Sequence, residues 1–402
     1  MLTQGKLKFR PPPRFALGRE ERKAILDCIR YYRRLGIDPG YDGYFEELFT
    51  TSFAEFMGGG YSDAVSSGCA SLYIALKSLR LAPKSLVATS PVTDASIVGC
   101  IVELGHVPYL IDSAPGSYNI TLKSIEARWN KDIRALVITH SGGEPCDILP
   151  IKAFCDKNNA QLIEDCSQAI GAIPLGGQAP VGAYGRFGCF STMYRKNLSA
   201  LGSSGLVFCK DFDDFKLAKQ YADRGKRWWD KESVDMRDPG FADFPALNWN
   251  SDEIRCAVGL ANLNRLEDTN RRRREFVSSL IDDFTKLEIK LFRPYNFHNG
   301  FAPFYFPIFI NEEFSKKSVL EISEEVRDLG LGIGIRYGCI VSTWNWARPF
   351  MFDEFSADNA ASTRDQCFHL YLNENYKLTH AKKIARLLKQ YETQHLKDGS
   401  LK

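Results

Sequence analysis

The residues of this chain best suited to covalent chemistry are Lys196 and Asp165. Lys196 follows the apolar segment and turn Phe187 to Arg195, and Asp165 ends Leu162-Ile163-Glu164-Asp165, 31 residues before the lysine. A lysine amine forms a Schiff base with an aldehyde, and a carboxylate keeps a pyridine nitrogen protonated so that the ring accepts electrons. The pair therefore predicts a site for pyridoxal phosphate (PLP). A single lysine is more often a solvated surface group, so the prediction depends on other features in the right order.

A candidate phosphate site precedes this pair. Val65-Ser66-Ser67-Gly68-Cys69-Ala70-Ser71 is a glycine turn that leads into a predicted helix over Leu72 to Leu81. Backbone N–H groups at a helix start bind anions, and small side chains let a phosphate approach. Ser191, five residues before Lys196, could add a hydroxyl. Serines before a helix are also ordinary caps, so this segment alone is a weak signal.

The acidic strand end leaves two questions open. Alternation along Leu162-Ile163-Glu164-Asp165 does not decide which of the two acids faces a pocket. An acid here could also be a simple cap of the following turn. Its place at the carboxyl end of a strand is nevertheless where open α/β sheets bind their ligands.

Length and composition favour a soluble globular protein with two domains. The chain has 402 residues, a length that exceeds the usual size of one hydrophobic core. Its residues are 44% hydrophobic and 25% charged, which is ordinary for a globular protein. A net charge of +3 gives no reason to expect nucleic acid or an acidic membrane as partner. The start lacks a signal peptide, and no apolar run is long enough to span a membrane, so a cytoplasmic location is expected. Eleven cysteines without a Cys-x-x-Cys pair indicate a reducing compartment.

Hydrophobic periodicity predicts an α/β fold. A Pro-rich arm, Phe9 to Arg14, precedes a helix over Arg19 to Leu35, and a single long helix is predicted from Ser251 to Phe284. A strand, a helix and a strand follow at Phe304 to Ile310, Ser318 to Leu329 and Ile333 to Tyr337, which indicates a second α+β domain. The strands of the parallel sheet are predicted at Leu86–Thr89, Val107–Ile111, Ala135–Thr139, Gln161–Ile163, Gly188–Phe190 and Leu206–Phe208.

The sequence resembles the sugar aminotransferases of the DegT/DnrJ/EryC1 family, which have the aspartate aminotransferase fold (type I) of PLP enzymes. The resemblance covers about residues 50 to 395. Its motifs are Gly68-Cys69-Ala70-Ser71-Leu72, Gly105-His106-Val107-Pro108, His140-Ser141-Gly142-Gly143-Glu144-Pro145, Glu164 to Ala172, Gly188-Cys189-Phe190-Ser191 with Lys196-Asn197-Leu198, and Leu247 to Ile254.

The resemblance implies the architecture. A three-layer large domain, residues 51–269, would hold a mixed, mostly parallel seven-stranded sheet. An N-terminal arm with helices would occupy 1–50, and a smaller α+β C-terminal domain would occupy 270–402. We expect a homodimer with shared active sites.

The resemblance also implies roles for individual residues. Lys196 would be catalytic: it would bond to the cofactor aldehyde and then move a proton at the substrate carbon. Asp165 would pair with the pyridinium nitrogen, and Gln168 would contact the ring hydroxyl. Asn248 would reach the phosphate of the neighbouring subunit. The phosphate itself would be held by Gly68, Cys69, Ala70 and Ser191. No metal is implied.

Several positions depart from the family pattern. Cys69 stands where threonine is usual, Asp94 or a neighbour stands where an aromatic residue would stack on the ring, and Asn250 replaces an arginine. Where the family usually has a His-Tyr pair, this chain has Arg336-Tyr337. The substrate candidates are Arg195, Arg227, Arg336 and Tyr337, whose basic members suit a carboxylate or a pyrophosphate. We infer retained PLP chemistry on an atypical substrate.

The resemblance implies transamination: L-glutamate gives nitrogen and becomes 2-oxoglutarate, the cofactor alternates with pyridoxamine phosphate (PMP), and a keto sugar accepts the nitrogen. The sugar would be nucleotide-linked or a keto sugar acid such as an 8-keto octulosonic acid, for cell-surface polysaccharide, lipopolysaccharide or antibiotic sugars. A PLP-binding sensor without turnover is one alternative. A PLP-dependent sugar dehydratase is another, but such enzymes have histidine in place of Lys196.

Overall fold

A computed structural model describes residues 9–14, 18–229 and 238–397. Residues 1–8 and 15–17 of the predicted N-terminal segment lie outside the described residues. Among the described residues, no helix has both the length and the apolar character needed to cross a lipid bilayer.

A seven-stranded sheet forms the centre of the larger part of the molecule. Its order is β1-β7-β6-β5-β4-β2-β3, and β7 is antiparallel to both of its neighbours while the pairs among β6, β5, β4, β2 and β3 are parallel. The prediction of a mixed, mostly parallel sheet is therefore confirmed. The strands are β1 Tyr61–Val65, β2 Leu86–Thr89, β3 Val107–Leu110, β4 Ile133–Thr139, β5 Gln161–Asp165, β6 Phe187–Ser191 and β7 Gly205–Cys209.

Helices cover both faces of this sheet. They are α1 Arg19–Leu35, α2 Tyr44–Phe56, α3 Gly68–Ser78, α4 Ala95–Glu103, α5 Leu122–Arg128, α6 Ile148–Lys157, α7 Phe212–Ala222 and α8 Glu253–Leu263. Successive strand residues point to opposite faces, so Ile163 packs in a core with α3, α4 and α7, whereas Leu162 packs in a core with α5 and α6. The strands are buried on both faces, as the continuous apolar runs predict, and the result is three layers.

The C-terminal part has a separate sheet and core. The sheet has the order β10-β11-β9-β8 and is antiparallel throughout. Its strands and helices are β8 Phe292–Pro294, β9 Tyr305–Ile310, β10 Ile333–Gly334, β11 Cys367–Tyr371, α9 Leu266–Lys286, α10 Val319–Asp328, α11 Asp358–Asp365 and α12 Leu378–Lys397. Short 3₁₀ turns lie at Ser141–Gly143, Pro239–Phe241, Glu312–Phe314, Val341–Thr343 and Arg348–Phe350.

The structure corrects one prediction about the helices. The single helix expected from Ser251 to Phe284 is two helices, because α8 ends at Leu263 and Arg265 has the non-helical angles φ −123° and ψ 9°. The Arg265 guanidinium binds Glu21 of α1 and the Asn262 amide. The apolar spacing continues through this break, so periodicity alone did not reveal it.

Other boundaries also differ from the sequence prediction. The strand expected from Ile333 to Tyr337 is limited to Ile333–Gly334. The domain boundaries predicted at 50/51 and 269/270 lie at positions within α2 and α9, and the division into domains stays a prediction. β1, which ends at the first residue of the candidate phosphate segment, was not predicted.

Candidate active site

The predicted catalytic residues come together at the carboxyl edge of the parallel strands. Asp165 ends β5 and Ser191 ends β6, and the first residues of α3 approach the same edge. A cavity of about 260 Å³ lies there. The predicted residues that line it are Gly68, Cys69, Asp94, Asp165, Gln168, Ser191 and Lys196.

Lys196 lies on a turn after β6. Its N–H donates to the Met193 carbonyl at 2.9 Å, and its amine lies 4.9 Å from the centre of the Phe304 ring. Burial lowers the pKa of the amine below its usual value, although the negative charges of Asp165 and Asp94 oppose this. A lysine held in this way has more of the neutral, nucleophilic amine at a given pH than an exposed lysine.

The start of α3 forms a cradle suited to a phosphate. Ser67 caps the helix by accepting the Ala70 N–H at 3.0 Å, which leaves the N–H groups of Gly68 and Cys69 without acceptors inside the helix. A Cβ on residue 68 would lie 2.6 Å from the Cβ of Ser191. Only glycine allows the two segments to approach this closely. The serine is thus both a cap and part of the candidate site.

Cys69 is exposed at this helix start, and its sulfur lies 3.7 Å from that of buried Cys100 on α4. A hydrogen bond with the Cys100 thiol lowers the pKa of Cys69 to about 7, although partial burial acts in the opposite direction. The position that departs from the family pattern therefore carries a thiol that ionises near neutral pH.

The structure decides between the two acids of β5. Asp165 lines the cavity, and its carboxylate also accepts the Ser167 N–H at 3.0 Å. Glu164 faces the opposite side of the sheet and is fully buried. There it accepts backbone N–H groups of Gly182, Tyr184 and Gly185 at 2.6–2.8 Å.

His140 is the fourth partner of Glu164, because the His140 Nε2 lies 3.1 Å from the Glu164 Oε2. Because His140 Nδ1 accepts the Cys146 N–H, Nε2 carries the proton and donates it to the carboxylate. His140, Glu164 and Cys166 are close enough to hold a metal. The carboxylate oxygens are already occupied by N–H groups, so the arrangement supports a structural role instead.

Gln168 is held from two sides. Its Oε1 accepts the Gly142 N–H at 2.8 Å, and its Nε2 lies 3.1 Å from the Tyr337 hydroxyl of the C-terminal part. Tyr337, a predicted substrate residue, therefore contacts a predicted cofactor residue. The C-terminal part of the chain therefore contacts a residue that lines the cavity.

Asp94 caps α4 through the Ser96 N–H at 3.0 Å, and it lines the cavity. This agrees with its predicted position, although a carboxylate has no apolar face for stacking. Cys339 also lines the cavity and was missed by the sequence analysis. No local pattern marks it, because it reaches the site only through the packing of the C-terminal part, with its carbonyl accepting the Thr93 N–H at 3.0 Å.

Six predicted residues are not among the cavity-lining residues in the described part of the chain. Two of them are next to lining residues: Ala70 follows Cys69 in α3, and Tyr337 contacts Gln168. The other four are Arg195, Arg227, Arg336 and Asn248. Arg195 is exposed, Arg227 pairs with Asp243 at 3.4 Å, Arg336 pairs with Asp365 at 3.3 Å, and Asn248 is exposed with its Oδ1 accepting the Asn250 N–H. Their predicted roles stay predictions.

Similar sequences include enzymes that act on nucleotide sugars. The GDP-perosamine synthase of Vibrio cholerae is 27% identical over 71% of this chain and 74% of its own length. The UDP-N-acetyl-3-dehydro-alpha-D-glucosamine 3-aminotransferase of Acidithiobacillus ferrooxidans is 29% identical over 60% of this chain and 62% of its own length, so the match spans less than two thirds of that relative.

Solved structures share the fold. An aminotransferase from Psychrobacter cryohalolentis superposes with a TM-score of 0.85 at 23% identity, over 96% of this chain and 99% of that one. The Escherichia coli GDP-4-keto-6-deoxy-D-mannose-3-dehydratase superposes with a TM-score of 0.84 at 17% identity, over 95% of this chain and 100% of that one. The model of the DegT/DnrJ/EryC1/StrS aminotransferase family matches residues 38–389, and the chain therefore belongs to that family.

Proposed function

We propose that this protein is a PLP-dependent sugar aminotransferase that moves an amino group from L-glutamate to a keto sugar. The observation that carries the proposal is the shared cavity of Lys196, Asp165 and the α3 start. A lysine with a lowered pKa, a carboxylate and a helix N-terminus supply the three groups that PLP needs: an amine for its aldehyde, an anion for its ring nitrogen and N–H donors for its phosphate.

The residues present fit the cofactor. Gly68, Cys69, Ala70 and Ser191 would hold the phosphate, and Asp165 would hold the ring nitrogen. Gln168 is held by Gly142 and Tyr337 and lines the cavity, where it would meet the ring hydroxyl. When bound, PLP supplies an electron sink for the bond to the substrate carbon.

The remaining chemistry is acid–base work by Lys196. Once released by an incoming amine, its amine would take the proton from the substrate carbon and return it elsewhere in the same turnover. Burial favours the neutral form needed for the first step. Asp94 and Asp165 favour the protonated form needed for the second. Burial and the two acids thus shift the pKa of the amine in opposite directions, which suits a group that must both accept and donate a proton.

The acceptor would be a nucleotide-linked keto sugar or a keto sugar acid used in a cell-surface polysaccharide, lipopolysaccharide or antibiotic sugar. The similarity to enzymes named for GDP and UDP sugars supports the nucleotide-linked class. Arg195, Arg227 and Arg336 are exposed or partly exposed cations that could meet a pyrophosphate or carboxylate. We expect the enzyme to work in the cytoplasm.

A homodimer with shared sites would complete this arrangement. Asn248 is exposed and lies next to Trp249, whose carbonyl accepts the Ser66 N–H at 2.6 Å close to the phosphate cradle. In the dimer, Asn248 would reach the phosphate of the partner subunit. The arginines Arg271 to Arg274 could support the interface, although Arg273 is buried within this chain.

A sugar dehydratase is the second candidate, because two structural neighbours are named as such. Lys196 counts against it, since the dehydratases of this family carry histidine at that position. A PLP-binding sensor without turnover would also use the same cavity. The two alternatives and the main proposal differ in what L-glutamate does to the bound cofactor.

The test is the visible absorption spectrum of the protein with PLP, recorded before and after L-glutamate is added. We expect a band from the lysine-bound cofactor that glutamate converts to the PMP spectrum. Lys196→Ala should lack the band, and Lys210→Ala, a change at an exposed lysine, should keep it. A band that glutamate leaves unchanged would favour the sensor. Absence of any band in the unmodified protein would overturn the proposal.

A further inference from the structure

The Pro-rich arm, residues 9–14, has no role in the proposed chemistry, yet it is tightly bound to the rest of the chain. The Phe9 N–H donates to the Leu329 carbonyl at 2.9 Å, and the side-chain amides of Asn373 and Asn375 donate to the Pro12 and Pro13 carbonyls at 2.8 Å each. Proline lacks an N–H but keeps its carbonyl, so Pro12 and Pro13 are held through their acceptors. These bonds fix the arm on the C-terminal domain.

The arm leads to the catalytic lysine. The Arg14 guanidinium donates a hydrogen bond to the backbone carbonyl of Lys196. The same side chain lies 3.5 Å from a carboxylate oxygen of Glu374, the residue between the two asparagines that hold the arm. Arg14 is therefore in contact with both the C-terminal domain and the lysine turn, although it lies 182 residues from Lys196 in sequence.

Glu374 joins Arg14 to a deeply buried partner. Arg273 on α9 is 1% exposed, and its guanidinium donates to Glu374 at 3.1 Å and to the Pro303 carbonyl at 3.0 Å. One carboxylate between two guanidinium groups compensates part of their charge and keeps them in place. Arg14 belongs to this ion cluster, so Glu374 holds its guanidinium in place where it donates to the Lys196 carbonyl.

The residue after the lysine is held as firmly. The Asn197 side-chain amide donates to the Asn270 side chain at 3.0 Å and to the Ala302 carbonyl at 3.1 Å. The Lys196 N–H donates to the Met193 carbonyl and the Lys196 carbonyl accepts from Arg14, so both peptide units that flank the Lys196 Cα are tied to their surroundings. Because φ and ψ are the only soft backbone angles, fixing both peptide planes fixes the direction in which the side chain leaves the backbone.

From this geometry we propose that Arg14 is a positioning residue for Lys196, and that the N-terminal arm sets the orientation of the lysine from the C-terminal domain. The inference rests on the proposed function, because it concerns the same lysine. It differs from a general stabilising role in one respect: Arg14 bonds to the backbone of the reacting residue itself. Loss of this bond should change the angle at which the Lys196 amine meets the cofactor aldehyde more than it changes the stability of the fold.

The experiment compares the PLP-loaded protein with its Arg14→Gln variant. We expect the variant to bind PLP with unchanged stoichiometry and to show altered circular dichroism in the visible cofactor band. The rate constant of the glutamate half-reaction should fall about tenfold, which is the effect of one charge-assisted hydrogen bond, while the glutamate concentration at half-saturation changes less. Arg14→Lys, which can still donate to the carbonyl, should recover part of the rate.

Two further variants separate positioning from folding. Arg10→Gln changes an exposed arginine of the same arm and should leave the dichroism and the rate unchanged. Asn375→Ala removes the bond to the Pro13 carbonyl without touching Arg14 and should give a smaller loss of rate. An Arg14→Gln protein with a lowered melting temperature but the normal dichroism and rate would overturn the inference. If the unmodified protein forms no lysine–cofactor band, the proposed function fails instead, which is a different result.

Discussion

The inner and outer parts of the predicted site are built in different ways. The inner residues Gly68, Asp165, Ser191 and Lys196 lie at ends of strands, at a helix start or on a short turn, where backbone hydrogen bonds fix their directions. They meet around one cavity of about 260 Å³. Cofactor chemistry requires such fixed groups, because the reacting atoms must be oriented to within small tolerances.

The outer residues Arg195, Arg227, Asn248 and Arg336 are different. All four lie outside the named helices and strands, and two of the arginines are paired with acids of their own chain. None lines the cavity within the described residues. The comparison teaches that strand ends and a helix start bring the inner residues together within a single chain, whereas the outer residues are not brought to the same cavity. We propose that the inner group binds the cofactor and that the outer group acts on the substrate.

The largest effect is expected from Lys196→Ala. Loss of the amine removes the general base and acid of the proposed reaction, so the glutamate half-reaction should slow by about 10²- to 10⁴-fold. Stopped-flow absorbance with PLP-loaded protein measures it. The variant should still bind PLP without a covalent bond, since the cradle is intact. A variant that keeps the normal rate would show that the inner residues do not act as proposed.

The neighbouring acids Asp165 and Glu164 should respond in opposite ways. Asp165→Asn removes the charge at the cavity and should slow the half-reaction about 10- to 100-fold with little loss of stability. Glu164→Gln places an amide N–H group against backbone N–H donors in a buried site. The free energy of unfolding should fall by about 3 kcal/mol, as measured by urea denaturation. The reverse pattern would contradict the assignment of the two faces.

Gly68→Ala tests the close approach of α3 and β6. The new Cβ would lie 2.6 Å from that of Ser191, so the cradle must open and PLP should bind about tenfold more weakly. Equilibrium dialysis gives the affinity. Gly99→Ala, in helix α4 with no atom within 4 Å of the new Cβ, is the matched control and should stabilise the protein by about 1 kcal/mol. Equal PLP affinity in both variants would rule out the cradle.

Cys69 should react with iodoacetamide faster than the buried cysteines. Only the thiolate reacts, and with a pKa of about 7 its rate should rise as pH increases through 7 and then level off. Bound PLP should slow the labelling, because its phosphate would cover the helix start. Peptide mass spectrometry locates the label, and Cys69→Ser should remove the fast phase. Fast labelling that PLP does not affect would place the phosphate elsewhere.

The smallest effect is expected from the outer arginines. Arg336→Gln should leave PLP binding and the glutamate half-reaction unchanged and should raise the KM of the sugar acceptor several-fold, since a partly exposed ion contact contributes about 1 kcal/mol. Steady-state kinetics with candidate nucleotide-linked keto sugars measures this. Arg227→Gln serves as a parallel variant. A loss of cofactor binding would mean that the outer arginines belong to the inner group.

Much of the large domain could be predicted from the sequence. All six strands expected from apolar runs are present, because a strand buried on both faces must be apolar throughout. Five of them pair in parallel as expected, whereas β7 is antiparallel to both of its neighbours. The break between α8 and α9 was not predictable, since Arg265 leaves the helix to bind Glu21, which is far away in sequence. β1 was missed because its middle residues Ser62 and Asp63 are polar, and the buried Asp63 is compensated by Lys219 at 3.3 Å.

For the site, the sequence by itself determined which groups are available: the lysine, the acids of β5, and the glycine and serines of the phosphate cradle. Their chemistry belongs to the residue types and their order. Only the tertiary structure decided that Asp165 faces the cavity while Glu164 is bound on the other side of the sheet, that Cys339 lines the cavity, and that Tyr337 contacts Gln168. The physical reason is that these contacts join distant segments, whose approach depends on the packing of two cores and not on local spacing.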